Sequence, residues 1–192
     1  MTGLKCSLAA LVVVAGCTTA SFESTWRAPS APELTNVVAL SPAPDGARRR
    51  SVEDRLAHQL SAHGVHAVPG YTVLTPKDRD DREAMIAKLR NDGFDGVVTM
   101  RFVGAHQRLE YYPAFDAYWG YAWGPYWGTV VPETVVRVEV NAYSLATKQL
   151  VWSAMSRSVD PSDSAQAIGD VSHLVAERLA HDRVIGTAQA MR

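Results

Sequence analysis

Cys17 is the residue whose chemistry is most legible in the sequence. It closes the run Val14-Ala15-Gly16-Cys17, an aliphatic residue and two small residues ahead of a thiol. Small side chains let an extended chain enter a peptidase cleft, and a thiol is a nucleophile open to covalent modification. Upstream, Lys5 supplies a positive charge and Leu8 to Ala15 form an apolar stretch of eight residues. That length suits a signal-peptide core and falls far short of the ~20 residues that span a bilayer. Cleavage before Cys17 would also remove Cys6, the only other cysteine. A disulfide within the mature chain and a cysteine-rich zinc site are therefore not expected.

The run ending at Cys17 resembles the bacterial lipobox. The resemblance implies a signal peptide over 1–16 and a mature chain that begins at Cys17, carrying acyl chains such as palmitate. One acyl chain binds a membrane marginally, whereas two or more hold stably. Position 18 is Thr rather than Asp. Under the sorting rule of enterobacterial lipoproteins, this implies the outer membrane, with the protein facing the periplasm.

The other unusual chemistry is aromatic. Tyr111 to Trp127 holds nine of the chain's 16 aromatic residues, and Trp-Gly pairs recur at 119, 123 and 127. Tyr111, Tyr112, Tyr118, Trp119, Tyr121, Trp123, Tyr126 and Trp127 are the candidate binding residues. Gly and Pro disfavour a regular helix here, so a loop over 111–128 is expected. Three readings stand open. Tyr and Trp dominate protein interface hot spots. They also suit lipid headgroups or the faces of sugars. Alternatively, the loop folds back on its own domain.

Remaining candidates are weaker. Arg48-Arg49-Arg50 could contact an anion or phosphate, or pair with Asp45, Glu53 and Asp54 nearby. His58 and His63 are five residues apart, off the i,i+4 spacing of a helical metal pair. His66, His106, His173 and His181 form no recognisable set. No G-x-S-x-G elbow, H-E-x-x-H or phosphate-binding glycine loop is present. No cofactor, metal or catalytic residue is expected. The net charge of −1 gives no basic excess for nucleic acid.

The elements that must carry these residues follow from pattern. Thr18 to Pro32 is polar and reads as a tether, giving a 17–33 anchor segment interrupted by Phe22 and Trp26. Asn36 to Leu40 reads as a buried strand. A helix follows with Ser51 as its cap and Asp54 in capping-box position, its apolar stripe on Val52, Leu56 and Leu60. Val65 to Val68 is a second strand, ended by Pro69-Gly70. A second helix starts among Asp78, Asp80 and Asp81 and buries Met85, Ile86 and Leu89. Val97 to Val103 is a third strand. Val136, Val138, Val140 and Ala142 alternate with polar residues, as in a half-buried antiparallel strand. Leu150 to Met155 is its hairpin partner. Ile168, Val171, Val175 and Leu179 mark a final helix. The expected fold is α/β (α+β), a mixed sheet of about five strands with helices packed on it. Its order is βαβαβ, loop, ββα, within a single domain over 34–187.

With Ser24-Thr25-Trp26, Asn36 to Leu40, Arg49 to Asp54, Gly93 to Val98, the aromatic loop and Leu150 to Ser153 in view, the chain resembles bacterial lipoproteins of unassigned function. That resemblance covers nearly the whole mature chain and brings no catalytic or binding residues with it. The element order is also similar to lipoprotein activators of peptidoglycan synthases and to the N-terminal domain of the translocation protein TolB. The implied function is a non-enzymatic envelope module, membrane-anchored through Cys17, that contacts an envelope protein, glycan or surface through its aromatic loop. The alternative is a small enzyme acting on a cell-wall component.

Overall fold

The computed structural model describes residues 20–113, 128–159, 161 and 163–186. Its strands are β1 (Ala20–Arg27), β2 (Asn36–Leu40), β3 (His66–Pro69), β4 (Gly96–Pro113), β5 (Gly128–Ser144) and β6 (Gln149–Val159). Its helices are α1 (Gly46–Ala62), α2 (Gly70–Val73), α3 (Pro76–Asp80), α4 (Arg82–Asn91) and α5 (Ser164–His181). The six strands form one mixed sheet in the order β1-β6-β5-β4-β2-β3. β2 is parallel to β3 and β4, and the remaining pairings are antiparallel.

Helices cover both faces. The alternation over Val136–Ala142 puts Val138, Val140 and Ala142 on one face, against Leu56 and Leu60 of α1 and Val171, Val175 and Leu179 of α5. Trp152 of β6 is fully buried there. Its indole N–H donates to Asp182 Oδ2 at 3.0 Å, which satisfies the one polar atom that burial would penalise. On the other face Val38, Leu40 and Val97 meet Ile86 and Leu89 of α4. β2 is thus apolar on both sides, which explains its unbroken NVVAL run.

The turn chemistry agrees with the expected breakers. Gly64 and Gly93, just past α1 and α4, have φ of 88° and 87°, values that disfavour any side chain. Gly93 to Gly96 then forms a joint. Asp95 accepts from the Thr35 backbone N–H at 2.8 Å, its hydroxyl at 2.9 Å and the Asn36 N–H at 3.1 Å. It thereby ties the start of β4 to the start of β2.

Four expectations are corrected. α1 begins at Gly46 and is capped by Asp45, whose carboxylate accepts from the Ala47 and Arg48 N–H groups; Ser51 lies inside the helix. The acidic cluster serves two short helices. Thr75 and Asp78 form a capping box on α3, and Asp81 caps α4. Residues 20–27, expected within the tether, form edge strand β1, so ordered structure begins upstream of residue 34 and the sheet has a sixth strand. A β-bulge between Phe22 and Ser24 breaks the period of two, which hides the strand from pattern reading. Phe22 packs edge-on against Trp152, with ring centroids 6.2 Å apart, while Trp26 is exposed. Finally, β4 runs ten residues past the expected end at Val103, to Pro113. Residues 111–113 and 128 of the expected loop belong to β4 and β5, where β-branched residues from Thr129 to Val136 pair with β4, and 114–127 lie outside the described residues.

Candidate functional site

Two features meet at the end of the sheet toward which β2 and β4 run. One is the row Ala20, Ser158, Val136, Ala105, which crosses β1, β6, β5 and β4. Ala20 stands three residues after Cys17, so an extended connection spans about 11 Å at most. β6 ends at Val159, opposite Val135. Past that row β4 and β5 pair only with each other among the described residues, from Gln107 opposite Thr134 to Pro113 opposite Gly128. This arm is about 23 Å long at ~3.3 Å per residue. It therefore leaves the sheet at the end where the chain arrives from Cys17. An isolated two-stranded ribbon is marginal in water, which favours an arm that works against another surface.

The described side chains of the arm fit that role. Arg108 and Glu133, directly opposite, form an ion pair at 3.4 Å. Leu109 is 72% exposed, and at the arm's root Phe102 and Val103 are 60% and 46% exposed. A bulge between Phe102 and Gly104 turns the strand there. The exposed large apolar residues of β4 thus fall at two places, the Phe102–Val103 pair and Leu109, with Gly104 to Arg108 between them.

Of the binding residues expected from sequence, Tyr111 and Tyr112 fall within β4, their backbones opposite Val130 and Thr129. Tyr118, Trp119, Tyr121, Trp123, Tyr126 and Trp127, together with Cys17, lie outside the described residues. The structure brings the two ends of the aromatic segment together, at Pro113 and Gly128. No sequence signal distinguished the hairpin arm from a loop, since its charged and apolar residues alternate only weakly.

The second feature is a cavity of about 580 Å³ beside the arm's root. It opens at the carboxyl end of β2, between Leu40 and Thr99 of β4. Arg49, Arg79 and Arg101 all line it. Two of them are answered by carboxylates. Glu53 of α1, with no solvent exposure, accepts from Arg79 Nη1 and Nη2 at 3.1 Å each. It also takes the backbone N–H of Ser41 at 3.1 Å and of Tyr71 at 2.8 Å. Glu139 pairs with Arg101, whose Nε lies at 2.9 Å. The Arg101 hydrogen bond and then the Asn141 amide hold the Glu139 carboxyl below its ordinary range, against a smaller opposing effect of burial. Arg49 has no such partner among the described residues, and its Nε is buried without a hydrogen bond. Of the pairings expected for Arg48 to Arg50, the one with Asp45 has support: the Ala47 and Arg48 backbone N–H groups, and then the Arg48 and Arg50 charges, hold its carboxyl below the ordinary range, while the Glu53 carboxylate is bonded by Arg79.

The histidines are dispersed. His66 hydrogen-bonds Asn36 and stacks on Phe94 at 6.4 Å, and His181 contacts Asp182 at 3.1 Å. Among the described residues no three His, Cys, Asp or Glu side chains converge as a metal site, and no helix is long and apolar enough to cross a membrane.

No protein-family model and no curated protein matches the chain. Solved structures with a similar chain path include a PelC dodecamer from Paraburkholderia phytofirmans. It is 16% identical over 84% of this chain and 95% of that one, with a TM-score of 0.48. Lipoprotein GNA1162 from Neisseria meningitidis is 14% identical over 78% and 99%, with a TM-score of 0.43. A minor lipoprotein from Acinetobacter baumannii is 12% identical over 78% and 94%, with a TM-score of 0.30.

Proposed function

We propose that the protein is an envelope lipoprotein, held on the outer membrane by acyl chains on Cys17 and facing the periplasm. On this reading it works by binding rather than catalysis, and the β4–β5 arm with the aromatic segment it joins is the contacting part. One observation carries the reading: Ala20 and the arm lie at the same end of the sheet. A connection of about 11 Å from Cys17 keeps that end near the lipid surface, and a 23 Å arm leaves from the same row. The arm is thereby presented to whatever occupies the membrane face, and the sequence between its two strands is rich in Tyr and Trp, the residues suited to such contacts.

Crosslinking in intact cells tests this. The full-length protein is compared with a variant in which residues 114–127 are replaced by a two-residue Asn-Gly turn, which suits a tight hairpin. The crosslinked species should disappear while thermal unfolding is unchanged. An unaltered crosslink pattern in the folded variant would reject the arm as the contact. The anchor has its own readout. Mass spectrometry of the N-terminal peptide should find acyl mass on Cys17, and Cys17→Ala should abolish both that mass and membrane fractionation. A mature N-terminus downstream of Cys17 in the unsubstituted protein would refute the anchor.

A further inference from the structure

We propose that the cavity at the carboxyl end of β2, alongside β4, binds a small phosphate-type oxyanion, with the Arg49 guanidinium as its principal ligand. The position is the first argument. β2 and β4 are parallel neighbours whose outgoing connections diverge, β2 toward β3 and β4 toward β5. β2 stops at Leu40 whereas β4 runs on to Pro113, so the space beyond the last residue of β2 stays open along the flank of β4. Leu40 and Thr99, the last residue pair of the β2–β4 ladder, both line the cavity.

Charge is the second argument. Three guanidinium groups converge and two carboxylates answer them, Glu53 for Arg79 and Glu139 for Arg101. Arg49 is left over, with its Nε buried and unbonded. A buried guanidinium N–H without an acceptor is costly, and the planar fork of Arg matches two oxygens of a phosphate or its ester. Glu53 cannot turn to Arg49 without abandoning Arg79 and two backbone N–H groups. The described residues supply no acceptor to Arg49 Nε, and a bound anion would supply one.

Size and lining set the ligand class. The cavity's 580 Å³ falls within the range of ~300–1,000 Å³ usual for small-molecule sites. Met85 and Leu40 offer apolar wall, while Thr99 and Asn141 offer hydroxyl and amide groups. There is room for a phosphate and a small esterified group. Inorganic phosphate and the phosphoester of a lipid headgroup share this chemistry.

Calorimetric titration of the full-length protein in neutral detergent, at fixed chloride, tests the site with two probes, inorganic phosphate and glycerol 3-phosphate. At least one should bind saturably at a single site and raise the thermal midpoint. Arg49→Gln should weaken binding at least tenfold, and Arg49→Lys, which keeps the charge and loses the fork, should weaken it measurably. Arg48→Gln, exposed and outside the cavity lining, should leave it unchanged. Tighter binding of glycerol 3-phosphate assigns the site to a phosphoester, and the reverse order to free phosphate. Absence of saturable binding by both probes overturns the proposal. So does equal affinity in the unsubstituted protein and both Arg49 variants. None of these outcomes depends on the arm or on acylation.

Discussion

Removing the Glu53 carboxylate tests the physical reasoning about this fold most directly. Its oxygens accept from Ser41 at the end of β2, from Tyr71 at the start of α2 and from both terminal nitrogens of Arg79 in α3. The side chain is completely buried, and Arg79 retains 19% exposure. Glu53→Met fills similar volume but leaves a guanidinium and two backbone N–H groups without an acceptor. Breaking a buried pair from one side costs ~3–5 kcal/mol. Because water can reach part of Arg79, the lower end applies, about 3 kcal/mol. For a domain of this size that is a fall of roughly 6–12 °C in Tm. Glu53→Met combined with Arg79→Met should recover at least ~1 kcal/mol of the loss, since the stranded charge is gone while the two backbone groups remain unpaired. Urea unfolding of the four proteins gives the cycle. A single substitution costing under ~1 kcal/mol, or a double variant no better than Glu53→Met, would refute the view that stranded charge dominates.

Two further outcomes follow from the geometry. Gly96→Ala places a Cβ 2.6 Å from Leu34 Cδ1, and Leu34 is 1% exposed and cannot withdraw. Overpacking of this kind should cost about 1–3 kcal/mol, read as a lowered urea midpoint at constant m-value; no change would show that the β2–β4 joint is loose. Glu139 has a folded-state pKa held below the ordinary 4.5, chiefly by the Arg101 hydrogen bond. Its contribution is therefore fully present above that value and is lost as pH falls toward the folded pKa, because the unfolded chain takes up the proton first. Arg101→Gln should accordingly lower Tm near neutrality, with the gap to the unsubstituted protein narrowing below pH 4.5. A gap independent of pH would remove Glu139 from the account.

Much of the fold could be read residue by residue. The NVVAL run, the alternation from Val136 to Ala142 and the stripe Ile168, Val171, Val175, Leu179 each became the expected element, the first because burial on both faces leaves an unbroken apolar run, the others because burial of one face leaves a period in the sequence. β1 left no such period. It is an edge strand with a bulge, and most of its residues face water, so Ser, Glu, Thr and Arg there look like a tether. The extension of β4 past Val103 was hidden for a related reason. Among the described residues the two strands of the arm pair only with each other, and a ladder of backbone hydrogen bonds needs no apolar alternation.

The chemistry of Cys17 and the aromatic density near residue 120 are properties of neighbouring residues, and composition and spacing suffice to find them. The cavity is of another kind. Arg49, Arg79, Arg101, Glu53 and Glu139 lie up to 90 residues apart, and which cation is left without a carboxylate depends on which side chains the sheet and helices bring within about 3 Å. Local sequence offered Glu53 to Arg48, Arg49 and Arg50; the tertiary fold gave it to Arg79 of α3. Hydrogen bonds of that length act only after the chain has closed. Their partners are therefore set by tertiary structure, while the anchor and the strand periods are written in the order of residues.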